Sequence, residues 1–545
     1  MIKKIFTTLL IILGICVGAV AVCVGVMVMF PNVSLFGFNY VKDNVNGTLT
    51  TLKYSSQNQD FLVHQINSIS IDMDKYDLII ERNPDKTDET IQVQIYSSFV
   101  GLLRADENGN LYKTINIVPT FDYKTEDKFD VSLKATEPRG IIIPSKMLIK
   151  IRLAIPEDYE MTGIDTVSLN IKNANLTISD NIKKVQAKKV VLSKENTTKS
   201  INTGKLVATD NLTLNVNNGR MDLTKSTDIN TNVNINTRGG TFVFGDVKTL
   251  NVQSETNPYI TVNGNVAGQL KYVAKSGSLK VGTVSNYTTI QTDSASLEFD
   301  KVKGPFIASN YKGDSKCNSN IKIGTIEKIQ NASADEDKIN LESGDGNITI
   351  DKIYRNANIT TNNGAITIGN DSSYGVDCDK LVIETERGQV KAYFNGNRQV
   401  KTQVKITSNK SGLISVYNID PASESFIKSM ENTEIYAEFA GLTVDDFKLQ
   451  GRGKKITAVV PTAKRINLTL ATDTKATIDI KVMYINRADE IKLNKNNIDS
   501  FEYDSVDGLA KIEDKFGVTY TNSAKTGSLG ISNNSDIYVL TPDAI

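Results

Sequence analysis

"ITTNNGAITIGND", residues Ile359–Asp371, sets two short apolar–polar alternations on either side of Asn-Asn-Gly. Alternation with period two sends one set of side chains to one side of a strand. Asn-Gly supplies the backbone freedom for a sharp corner. Alone, the stretch reads as a hairpin, but nearly the same phrase recurs as "LTLNVNNGRMDL", "VNINTRGGTFVFGDV", "LKYVAKSGSLKVGTV", "INLESGDGNITIDKI" and "LVIETERGQVKAYF". After Gly219, Gly240, Gly277, Gly346, Gly364 and Gly388 the second and fourth residues are apolar, as in Phe242 and Phe244 or Ile366 and Ile368. Gly412 and Gly527 repeat the pattern with Ile414 and Val416, and with Leu529 and Ile531.

Successive glycines lie about 18 to 24 residues apart, or about twice that where one coil lacks its glycine, as at Pro258 and Ala295. Such a period marks a solenoid: one coil cannot bury its own apolar side, whereas stacked coils bury a continuous one. A meander of antiparallel hairpins uses the same turns, but regular spacing and β-branched inward positions favour stacking. The expected fold is all-β, a single-stranded, parallel β-helix-like β-solenoid over residues 164–420. Residues 65–163 read as a β-rich N-terminal cap. Residues 421–545 read as a β-rich C-terminal cap or second solenoid-like segment, with "PASESFIKSM" as a helical stretch inside it.

The first residues, "MIKKIFTTLLIILGICVGAVAVCVGVMVMF", place Lys3 and Lys4 ahead of an apolar run from Ile5 to Phe30. About 26 residues span about 39 Å as a helix, more than the roughly 30 Å hydrocarbon core. Residues 5–30 are therefore expected to be a transmembrane signal-anchor, after a cytoplasmic stretch at residues 1–4 and before a linker at residues 31–64. Positive charge on the N-terminal flank orients the rest of the chain away from the cytoplasm. The expected localisation is the cell membrane, single-pass, with an extracytoplasmic C-terminal ectodomain. Cleavage after Ala19-Val20-Ala21 is the rival reading, but it would leave "VCVGVMVMF" as an exposed apolar end. Gly14 and Gly18 form a GxxxG step of the kind that packs helices, and equally the glycine common in membrane spans.

A strand pair such as "DLIIERNPDKTDETIQVQIY", a strand ending in "LAIPEDY" and repeated T-x-x-G-x-I-x-I coils resemble the family named "putative adhesin", a bacterial envelope domain of unknown function. The resemblance covers roughly residues 65 to 400. It implies a β-solenoid at the cell surface, and the family carries no assigned catalytic residues.

Candidate chemistry is sparse. Lys plus Arg and Asp plus Glu both number 62, so no bulk field favours nucleic acid, and no nucleic-acid partner is expected. His64 is the only histidine, so no Ser–His or Cys–His triad and no histidine-based metal site can be assembled. "SDN" at Ser179–Asn181, "SNYK" at Ser309–Lys312 and "KTG" at Lys525–Gly527 imitate a serine acyl-enzyme in the wrong order. Polysaccharide-cleaving β-helices need carboxylates aligned on adjacent coils; Glu298, Asp300, Asp351 and Glu384 do not form one clear column. Carbohydrate sites favour flat aromatics, and with no Trp the remaining candidates are Tyr259, Tyr272 and Tyr287, which read as a structural ladder. Cys317 and Cys378 lie about three coils, or about 14 Å, apart, too far for a bridge that wants Cα atoms within about 7 Å. No catalytic, cofactor-binding or metal residue is expected. The reading is a non-enzymatic, membrane-anchored surface protein acting by adhesion toward an unknown surface ligand. The alternatives are an envelope-stress or assembly scaffold bound to an envelope partner, and a glycan-active β-helix enzyme.

Overall fold

In this computed structural model one helix, Ile2–Met29, precedes a succession of strands. The structure describes residues 2–29, most of 38–153 and 161–419, and the strands between 424 and 540, with side chains no further than residue 418. Connections such as 83–90, 105–115, 196–200, 310–317 and 330–338 lie outside it. The chain divides into two compact units, Met1–Phe244 and Gly245–Ile545.

The helix is apolar from Phe6 to Met29 and exposed along most of that span, with Met27 buried near its C-terminal end. By length and composition it can cross a membrane: 24 residues rise about 36 Å.

In the first unit the strands stack in parallel and in register, as solenoid coils do. Met161–Ile171 pairs with Val185–Lys194, which pairs with Leu206–Val216, which pairs with Asn232–Phe244. Leu169, Leu192, Leu214 and Ile235 fall in one inward column, each at most 2% exposed. Burying each such side chain is worth about 1.5–3 kcal/mol, and the next coil is what does the burying.

Stack order departs from chain order at the N-terminal end. Ile66–Met73 and Asp77–Arg82 pair in parallel with Met161–Ile171 and Leu176–Ile178, so Asp72 faces Asn170. On their other side lie Lys128–Thr136 and Gly140–Leu153, also parallel. Antiparallel strands then cover that coil: Asn116–Thr125 on the first, Ile91–Arg104 on the second, and Phe38–Thr51 on Ile91–Arg104. A solenoid end would otherwise present bare N–H and C=O groups to other chains. Pro119, which has no N–H to offer, sits in the covering strand Asn116–Thr125.

Among the described side chains of the second unit, three inward lines run along the stack. Two come from the longer strands, one running Val252, Tyr272, Ile290 and Ala308, the other Ile323, Ile350, Ile368 and Ala392. The third is a single residue per coil, Val247, Val266, Val284, Val302, Ile326 and Ile353, all 0% exposed. Parallel pairing continues past Asp420. Gln403–Ser408 pairs with Glu424–Ser429 and then Phe447–Gly451, and Gly412–Ile419 leads through Thr433–Phe439, Lys455–Val460 and Thr477–Val482 to Asp536–Leu540. The helix expected in "PASESFIKSM" is therefore corrected: Glu424–Ser429 is a strand. Its backbone is paired on both edges, and that outweighs a weak local helix preference.

The repeated T-x-x-G turns now have a physical account. The glycine corners stack directly, with Pro258, Gly277, Ala295 and Ser319 followed by Gly346, Gly364, Gly388 and Gly412. A Cβ at Gly364 would overlap the Gly346 carbonyl oxygen. In the first unit Gly240 has a φ of 107°, and a Cβ there would lie 2.7 Å from the Gly219 oxygen. The hydroxyl three residues earlier closes the corner inside the coil. Thr361 Oγ1 donates to the Gly364 carbonyl at 2.9 Å, and the Gly388 amide donates to Thr385 Oγ1 at 2.7 Å. The two hydroxyls meet at 3.2 Å, and Ser343 Oγ donates to the Ser319 carbonyl at 2.7 Å. Buried polar groups must be bonded, and Thr does this while still favouring a strand.

Candidate interaction surface

With the inward sides filled, the outward sides are what the fold presents. In the first unit the two longer outward faces differ in chemistry. On one, the strands beginning at Ile66, Met161, Val185, Leu206 and Asn232 bring three outward residues each into register. The first three strands contribute Ser68, Ser70 and Asp72, then Thr166, Ser168 and Asn170, then Lys189, Val191 and Ser193. The last two contribute Asn211, Thr213 and Asn215, then Asn232, Asn234 and Asn236. Only Asp72 and Lys189 are charged and only Val191 is apolar; all of these positions are exposed or half-buried. Side-chain amides are held across the array: Asn170 Nδ2 donates to Asp72 Oδ1 at 2.9 Å, and Asn232 Nδ2 to the Asp210 carbonyl at 3.0 Å. Asn211 Nδ2 donates to Asp210 Oδ2 at 2.8 Å.

The other face of this unit is charged. Arg152 Nε donates to Glu81 Oε1 at 2.7 Å, with Lys150 3.8 Å from the same oxygen. At one corner Asp180, Asn202, Gly204, Asp222, Thr224 and Lys225 line a shallow hollow of about 270 Å³. The Thr224 hydroxyl at 2.7 Å, then its amide, hold the Asp222 carboxyl below the usual carboxylate range.

The second unit mixes charge along its stack. Glu298 lies between Lys280 and Lys322 on neighbouring coils, at 3.3 and 3.6 Å. Tyr393 and Tyr417 stack with ring centroids 4.5 Å apart, and Lys391 Nζ stands 5.1 Å from the Tyr393 ring. Asn362, Asn363, Glu386 and Arg387, the variable pairs of two consecutive T-x-x-G corners, line a polar hollow of about 340 Å³. Arg355 is 1% exposed and donates to the Lys303 and Gly304 carbonyls at 3.2 and 2.8 Å.

The residues singled out from sequence are dispersed. Asp300 and Asp351 share an outward column with Gly324 between them, whereas Glu298 and Glu384 lie on two other lines, Glu384 3.9 Å from Lys405. The tyrosine ladder is corrected. Tyr272 points inward at 0% exposure, while Tyr259 and Tyr287 are exposed, and register aligns Tyr259 with Ser278 rather than with either tyrosine. A one-residue change of phase flips a strand residue to the opposite side, and spacing between tyrosines does not report phase. Burial raises the Tyr272 phenol well above its ordinary range. Cys378 is buried, its thiol 3.6 Å from the Lys380 carbonyl. Ser179 accepts a 3.5 Å bond from the Asn181 amide. His64, Cys317, most of "SNYK" and all of "KTG" lie outside the described residues. Among the described residues, no three His, Cys, Asp or Glu side chains gather as a metal set. The neutral face was legible in "NLTLN" and "NVNIN" only to a reader who already knew that these strands are adjacent.

No family model and no curated protein matches this chain. One solved structure, a "putative cell adhesion protein" from Clostridium sporogenes ATCC 15579, aligns over 91% of this chain and 100% of that one, at 9% identity and a TM-score of 0.14. At that score the alignment carries no argument about fold or role.

Proposed function

We propose that this is a membrane-anchored surface protein, without catalytic activity of its own, whose β-solenoid presents outward faces for adhesion. The observation that carries the reading is the helix Ile2–Met29. Leu9, Leu13, Ile15, Val17 and Val22 on it are each 60–67% exposed, a continuous apolar surface that water disfavours and a bilayer accepts. With Lys3 and Lys4 at its start, that helix holds the N-terminus in the cytoplasm and the strands outside the cell. The in-register coils behind it form an inextensible support, and their outward residues can be varied without disturbing the inward columns.

Protease shaving of intact cells tests the placement, and binding of those cells to envelope polymers and host matrix tests the role. External protease should release fragments from residues 31–545, and a chain lacking residues 1–30 should neither stay on the cell nor confer binding. Complete protection from external protease, or cell binding that is the same with and without the chain, would refute the reading. Retained binding of a partner membrane protein through residues 1–30 alone would favour an assembly scaffold instead.

A further inference from the structure

The neutral face of the first unit has a composition that strand stability does not account for. Asn is depleted in strands, because its amide bonds locally to backbone in turns and its side chain packs poorly on a pleated sheet. Yet Asn211, Asn215, Asn232, Asn234 and Asn236 occupy outward strand positions, with Thr213 among them. Charge would keep an exposed sheet soluble, and the opposite face of the same unit uses it at Glu81, Lys150 and Arg152. Here it is almost absent.

Building on the surface-adhesion reading, we infer that this face binds uncharged, hydroxyl-rich polymer, that is, a neutral glycan chain lying flat across the coils. A carboxamide has two donor hydrogens and an acceptor oxygen with two lone pairs; a Thr hydroxyl has one donor and two acceptor sites. Bonds such as Asn170 to Asp72 and Asn232 to Asp210 use part of that capacity to orient the amides. The amides stand at exposed or half-buried positions on strands that are already ordered, which lowers the entropy lost on binding. Sugar hydroxyls both donate and accept, so they match such an array. Within these five strands an anionic polymer would find Lys189 as its one cationic partner, with Lys134, in register with Asp72, at the edge of the array. The array repeats about every 4.8 Å across coils and about every 7 Å along strands, giving a patch on the order of 20 Å by 14 Å. It offers no aromatic platform, so affinity per chain is modest and depends on many copies along one polymer.

The test uses the full chain in lipid nanodiscs, with dextran, mannan and laminarin as neutral probes and heparin as the charged one. Thr213→Val, Asn215→Val and Asn234→Val together keep β-compatible shape while removing the hydrogen-bonding groups. A matched variant on the charged face, Thr177→Val with Thr241→Val, serves as control. At least one neutral probe should bind the native chain and the control with little change between about 50 and 500 mM salt, and bind the triple variant about tenfold or more weakly, at unchanged melting temperature. Binding to none of the neutral probes, binding only to heparin with loss at high salt, or equal binding by the triple variant overturns the inference. If cells bearing the triple variant adhere as well as native cells, this face is wrong and the adhesion reading stands. If neither adheres to any surface, the adhesion reading fails with it.

Discussion

Gly364→Ala separates steric from conformational demands at the stacked corner. The φ of Gly364 lies outside the left-handed region, so alanine has no backbone objection to the site. Its methyl group, however, would overlap the Gly346 carbonyl oxygen of the coil beneath, a backbone atom that no rotamer change can move aside. Relief requires parting two coils where the Ile348 amide bonds the Ala365 carbonyl at 2.8 Å and the Ala365 amide bonds Asn347 Oδ1 at 2.9 Å. Overpacking of this kind costs about 1–3 kcal/mol, and each of the two weakened bonds adds about 0.5–1.5 kcal/mol, so about 2–6 kcal/mol is expected. Repeat arrays lose stability locally before globally, so the assay is hydrogen exchange on the full chain in mild detergent, supported by urea unfolding. Amides of the coils holding Ile348, Ile366 and Val390 should exchange faster, and those near Leu250 should not. Thr367→Ser, at an outward position one strand residue from the corner, is the control. Unchanged protection in Gly364→Ala would refute the stacked-corner account.

Other outcomes follow from the same structure. Thr361→Val should cost about 1–2 kcal/mol by orphaning the Gly364 carbonyl, and combining it with Thr385→Val should be non-additive because the two hydroxyls share a bond; strict additivity in urea unfolding would count against the ladder. Arg355→Met leaves the Lys303 and Gly304 carbonyls without that donor and should lower stability by about 2–4 kcal/mol, with Arg355→Lys rescuing part of the loss because a single nitrogen, Nη1, makes both bonds and an ammonium has three hydrogens to give. Tyr272 is held neutral by burial, its folded pKa raised above the ordinary value of 10.0. Its stabilisation is therefore full below pH 10 and is lost as pH rises, by about 1.4 kcal/mol per unit above about pH 10. Tyr272→Phe should flatten that alkaline loss in a series of thermal melts, and an identical pH profile would show that Tyr272 is not the group responsible.

Much of the coil was legible before any coordinates. Period two, the T-x-x-G corners and the spacing of Gly346, Gly364 and Gly388 are local features, and local features survive in a single sequence. The helix of residues 2–29 was equally plain, because an uninterrupted apolar run has few alternative fates. Other features depended on which strand lies beside which. Asp72 meets Asn170 although nearly a hundred residues separate them, since residues 128–153 fold back beneath the coil at 66–82. Nothing local announces that detour. "PASESFIKSM" looked helical because its neighbours 403–408 and 447–451 are distant in sequence, and they decide its pairing.

The amino-acid order by itself determined the repeat, its corner chemistry and the apolar helix, because each is set by bonds and side chains within one coil or one helix. Only the tertiary structure decided which outward residues share a face. Register between coils is a long-range property: it turned scattered Asn and Thr residues into one neutral array, put Tyr272 inside while leaving Tyr259 outside, and matched Glu298 with two lysines from neighbouring coils.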